Sequence, residues 1–140
     1  MRGSSRAVEA PIKAEELAAA LVKAAIEKKA FDIVILDMGD LVGYTELFVI
    51  CSARNRRQAQ AIAEEARKVG KELTDAPPHG MEGLQAARWV LVDFGSVVVH
   101  IFDEPLRGFY DLDGLWGDAR RVTLAGVELP SETMGAFAAT

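Results

Sequence analysis

Two-metal phosphoryl or nucleotidyl transfer needs carboxylates converging on one face, so the aspartates come first. Asp32 and Asp37 bracket the apolar run "FDIVILDM", but a spacing of five sends them to opposite faces of a regular strand. Asp37 and Asp40 converge only through a turn that the residues between them do not specify. Asp111, Asp113 and Asp118 fall in a segment of turn formers, where acidic residues commonly begin helices. The two histidines, His79 and His100, are far apart, and the single cysteine has no partner at ligand spacing, so no metal site is assigned. Cys51 lies in "LFVICS" and reads as a buried thiol rather than a nucleophile. His79, between Pro77-Pro78 and Gly80, reads as a turn residue. Neither G-x-x-x-x-G-K-[ST] nor G-x-G-x-x-G occurs, which removes the usual phosphate cradles. No catalytic residue, cofactor or metal is expected.

Arg54, Arg56 and Arg57 form a small basic cluster. Arg56 and Arg57 fall in the first turn of the predicted helix, where positive charge opposes the helix dipole at a cost of ~0.3–1 kcal/mol per charge. Such a broken local rule has two readings: a solvated face, or a surface for RNA phosphate or an acidic partner. The net charge of −5 argues against broad nucleic-acid binding and leaves a local patch open. No apolar run approaches the ~20 residues of a membrane span, and Met1–Pro11 lacks a signal-peptide core. The expectation is a cytoplasmic protein.

The elements that must position these residues follow from periodicity. Ile12–Ala30 repeats Leu17, Leu21 and Ala24/Ala25 at helical spacing. Phe31–Met38 and Glu46–Ser52 are β-branched and apolar and read as strands. Asn55 with Gln58 three residues on predicts a capping box. Behind it Ala59, Ile62, Ala63, Ala66, Val69 and Leu73 form one stripe. "TDAPPHGMEG" reads as a turn-rich connection, "RWVLVDFGSVVVHIF" as a hairpin, and Asp103–Asp118 as one or two short helices. The order α-β-β-α-β-β-α predicts an α/β (α+β) domain, a mixed β-sheet flanked by helices. It spans residues 12–121, with 1–11 and 122–140 as loosely held tails.

Within the hairpin, Gly95-Ser96 suits a two-residue turn with glycine at positive φ. That turn pairs Asp93 with Val98, Leu91 with His100 and Trp89 with Phe102, and alternation then sorts two faces. Phe94, Val97, Val92, Val99, Val90 and Ile101 make an apolar core face. Asp93, Val98, Leu91, His100, Trp89 and Phe102 make a mixed one. Three readings compete for it: cover by a helix, catalysis by His and Asp, or a face open to a partner, for which tryptophan is a favoured anchor.

"DIVILDMGDL", "LFVICSARNRRQAQAIAEEA", "EGLQAARWVLVDFGSVVVHIF" and "FYDLDGLWGDA" stand in the order and spacing of the ribosomal silencing factor, or Iojap-like, family. The chain resembles it over roughly Leu17–Arg121, most specifically in the tryptophan-led hairpin and "FYDLDGLWGDA". The resemblance implies a nucleotidyltransferase-like fold without catalytic carboxylates. It also implies a translation repressor that binds a ribosomal protein of the large ribosomal subunit at the subunit interface and blocks joining of the small subunit. The partner-binding residues it implies are Glu82, Trp89, Leu91, Asp93, His100, Phe102, Asp111 and Trp116. In this picture Trp89 and Leu91 form the apolar anchor, and Asp93, Asp111 and Glu82 meet basic side chains. RNA contact is secondary. The sequence departs from the family at Ser96, usually acidic, at Ala53, usually Gly or Thr, and in "GYTELF". Two rivals stand beside this reading: a metal-dependent nucleotidyltransferase using Asp37, Asp40 or Asp93, and a homodimer formed through the same hairpin face.

Overall fold

The computed structural model describes residues 12–39, 45–104 and 119–130. The first helix, α1 (Ala14–Glu27), buries Leu17, Leu21, Val22 and a series of alanines along one stripe. Lys29, in the left-handed region at φ 69°, turns the chain into β1 (Phe31–Asp37). β2 (Leu47–Ala53) is buried along its whole length, and α2 (Arg56–Thr74) follows.

The expected cap of α2 forms with one change. Asn55 Oδ1 accepts the Gln58 N–H at 2.8 Å, while Gln58 Oε1 accepts from the Arg54 N–H at 2.6 Å, one residue before the N-cap. Gln58 Nε2 also donates to the Lys28 and Lys29 carbonyls, at 3.1 and 2.9 Å. A single carboxamide therefore satisfies orphan groups at the end of α1 and the start of α2.

Three further strands complete the hairpin region: β3 (Gly80–Glu82), β4 (Trp89–Asp93) and β5 (Val97–Asp103). β6 (Arg120–Arg121) is a two-residue edge. The sheet order is β3-β4-β5-β2-β1-β6. Among the described residues only β2 and β5 run parallel; every other pair is antiparallel. The fold is thus the mixed α/β arrangement expected. The connection "TDAPPHGMEG" holds more than turns, however, because β3 adds itself to the edge of β4. Between Phe31 and Val34, β1 carries a bulge against β2 with Asp32 at φ 51°, so the regular alternation assumed for Asp32 and Asp37 does not apply.

Both helices lie on one face of the sheet. Their apolar stripes meet Ile33, Ile35, Leu47, Val49, Cys51, Val90, Val92, Phe94, Val97, Val99 and Ile101 in one buried cluster. This is the core face assigned from the hairpin, and the Cys51 thiol is buried within it. Gly70 lets α2 approach closely, since a Cβ there would sit 2.1 Å from Phe94 Cζ. After β6, Leu124 is buried in the same cluster, and Val122, Val127 and Leu129 pack against it.

Candidate functional site

The hairpin forms in the expected register: Asp93 opposes Val98, Leu91 opposes His100, and Trp89 opposes Phe102. Gly95 adopts φ 87°, and Asp93 Oδ1 accepts its N–H at 2.7 Å, so one oxygen of this carboxylate serves the turn. β2 holds the turn from the other side, where the Ser96 carbonyl accepts from the Glu46 and Leu47 amides and from the Thr45 hydroxyl. The His79 ring lies over the turn, 2.8 Å from where a Cβ on Gly95 would be.

Cross-strand pairing extends the mixed face into rows. One runs Glu82–Leu91–His100–Ile50–Val34 and another Trp89–Phe102–Ser52–Phe31. The sequence missed Glu82 as a neighbour of Leu91, because only β3 pairing creates that contact. The sole local signal was apolar Met81 between Gly80 and Glu82.

The face is not open throughout. His100 is 4 % exposed and Phe102 0 %, and Val98 is buried with Phe48, Ile50, Val34 and Leu36 in a second cluster. The edge differs. Glu82 is exposed, Leu91 and Asp93 are half-buried, and Trp89 is 38 % exposed. His100 and Phe102 therefore act from behind the surface.

How they act is visible in the contacts of Trp89. Its Nε1–H donates to His100 Nδ1 at 3.1 Å, and its ring packs 4.8 Å from Phe102. His100 in turn lies 4.3 Å from Phe48. An accepting Nδ1 places the neutral imidazole's proton on Nε2. Burial pushes the His100 pKa down to about 4, and the nearby Asp93 carboxylate offsets this only in part. The imidazole is thus an acceptor throughout the neutral range, and it fixes the edge of the indole. Register alone made Trp89 and His100 diagonal neighbours, a distance aromatic side chains can span; burial turned that proximity into a bond. Gly83 gives close passage next to the anchor: at φ 78°, a Cβ there would be 2.2 Å from the Trp89 carbonyl oxygen.

Of the carboxylates weighed for metal chemistry, Asp37 shares the helix-covered side with its partner Leu47. It takes the Arg120 guanidinium at 2.6 Å and the Gly39 N–H, which together hold its carboxyl below the usual range. Asp93 points to the other face, beside Val98. The two do not converge. Among the described residues no three His, Cys, Asp or Glu side chains gather as a metal site would require. Asp40, Asp111 and Trp116 lie outside the described residues.

Comparison with known proteins supplies the context of this geometry. The family model described as "Ribosomal silencing factor during starvation" matches residues 11–139. The ribosomal silencing factor RsfS of Halalkalibacterium halodurans is 42% identical over 113 residues, 81% of this chain and 96% of the relative. The mouse protein named mitochondrial assembly of ribosomal large subunit protein 1 is 31% identical over 118 residues, 80% of this chain and 52% of that protein. A crystal structure of a protein from Chromobacterium violaceum superposes with a TM-score of 0.72 at 29% identity, covering 83% of this chain and 95% of that one.

Proposed function

We propose a function from one premise: this chain belongs to the ribosomal silencing factor family, whose role is regulation of the ribosome rather than turnover of a substrate. The chain represses translation by binding the large ribosomal subunit through a basic ribosomal protein on the joining face, and so blocks attachment of the small subunit. It does this in the cytoplasm and needs no cofactor. Occlusion of this kind requires affinity, not chemistry, and one compact domain is enough to supply it.

The observation that carries the reading is the Trp89 edge. A large aromatic ring stands exposed on a rigid aromatic backing, held in one orientation by the buried His100. A tryptophan fixed in this way loses little freedom on docking, which is the property of a binding hot spot. Leu91 widens the apolar anchor, and Glu82 and Asp93 flank it with negative charge suited to lysine and arginine on the partner. The chain's net charge of −5 steers its encounter with a basic protein. Asp111 and Trp116 remain part of the proposed contact. The same edge admits a second copy of the chain, which would mask it.

Purified protein is expected to co-sediment with isolated large subunits and to lower the yield of joined ribosomes in a reassociation assay. Trp89→Ala should lose both effects while remaining folded. Equal joining with and without saturating protein would refute the proposal.

A further inference from the structure

Five cations of this acidic chain gather at one corner. Lys28 and Lys29 follow α1, Arg54 lies in the β2–α2 connection, and Arg56 and Arg57 open α2. The Gln58 carboxamide joins these segments, bonding the Lys28 and Lys29 carbonyls and the Arg54 N–H. All five residues are exposed, and none of them takes part in an ion pair among the described residues. Helix electrostatics account for part of this arrangement only. Lys28 and Lys29 complement the negative end of α1, whereas Arg56 and Arg57 oppose the positive end of α2, whose first turn holds no acidic residue. Arg54 Cζ lies over the Phe31 ring, 4.5 Å from its centroid, a cation–π contact that restrains the guanidinium in advance. Beside it a hollow of about 440 Å³ is lined by Asn55, Arg56, Arg57 and Gln60. Among the described residues, two guanidinium groups and two carboxamides line it and no carboxylate does.

One row of the sheet links the patch to the proposed anchor. The row Trp89–Phe102–Ser52–Phe31 crosses the sheet and ends at the ring that carries Arg54. We infer that Lys28, Lys29, Arg54, Arg56 and Arg57 form a second contact surface, one that takes the phosphate backbone of RNA while the Trp89 edge takes protein. Choosing RNA as the polyanion rests on the ribosomal reading above, since a protein seated on the large subunit lies among RNA phosphates. Arginine forks suit phosphate oxygens in pairs, and contacts of this kind position a protein without reading sequence.

The test uses the full chain and a short fluorescent RNA duplex, with polyglutamate as an acidic-polypeptide control. The variant is R56E/R57E, which places acids where the dipole favours them and so preserves the fold, as a melting curve would verify. Wild type should bind the duplex with a log–log salt slope that the variant makes shallower by about 2, with affinity at least ten-fold weaker at low salt. Lys28→Ala with Lys29→Ala should weaken binding in the same direction. Trp89→Ala should leave duplex binding unchanged even where it abolishes subunit binding, which separates failure of this inference from failure of the repressor reading. Equal duplex affinity and salt slope for wild type and R56E/R57E would overturn the assignment. So would binding of polyglutamate in preference to RNA, which would make the patch a site for an acidic protein.

Discussion

Acidification should loosen the Trp89 edge before it unfolds the carboxylate-rich surface, and His100 sets the size of the effect. Its folded-state pKa is about 4 against an ordinary value near 6.5. The unfolded chain therefore binds more protons between those values, so stability is full above about pH 6.5 and falls as pH drops toward 4. The whole gap corresponds to roughly 3 kcal/mol, and about 2 kcal/mol of that is already lost at pH 5. Protonation also removes the Nδ1 lone pair, so two N–H donors would face each other where the 3.1 Å bond now stands. His100→Gln keeps an acceptor and cannot titrate. Urea denaturation of wild type and His100→Gln at pH 7.5 and pH 5, followed by tryptophan fluorescence, isolates this residue, because carboxylate titration is common to both proteins and cancels in the difference. Wild type should lose about 2 kcal/mol more than the variant. A difference independent of pH would refute the buried, neutral, accepting histidine on which the orientation of Trp89 depends.

Trp89→Phe retains ring packing on Phe102 but loses the donor to His100, and should cost about 1 kcal/mol in urea denaturation while weakening subunit co-sedimentation. Gly83→Ala meets both a positive φ and the Trp89 carbonyl; it should lower stability by at least about 2 kcal/mol, read as a drop in melting temperature. Gly70→Ala would normally strengthen a helix by about 1 kcal/mol, but the Phe94 ring occupies the space of the new methyl. A net loss of about 1–3 kcal/mol is expected, and Phe94→Leu in the same chain should recover much of it.

Much of the site was legible because it is local. The Gly95-Ser96 turn determines which residues of β4 and β5 face each other, and alternation then separates the core face from the mixed one. The Asn55 cap and the stripe from Ala59 to Ala66 place α2 in the same way, through contacts within one turn of helix, whereas Leu73, expected in that stripe, is exposed. What could not be read is what crosses between distant segments. Whether the mixed face is open depends on burial, and burial placed His100 and Phe102 inside while leaving Trp89 at the edge. Of the residues expected to meet a partner, those two lie beneath the surface and Trp89 lies on it.

From its residues alone, then, the chain declares two amphipathic helices, the apolar strands and the register of one hairpin, because each depends on neighbours a few residues apart. Tertiary structure decided the remainder. The parallel pairing of β2 with β5 brings Ile50 beside His100, the added strand β3 brings Glu82 beside Leu91, and Gln58 ties the end of α1 at Lys28 and Lys29 to the start of α2. Hydrogen-bonding edges and carboxamides accept many partners equally well, and only the packing of both helices on one face of the sheet selects among them.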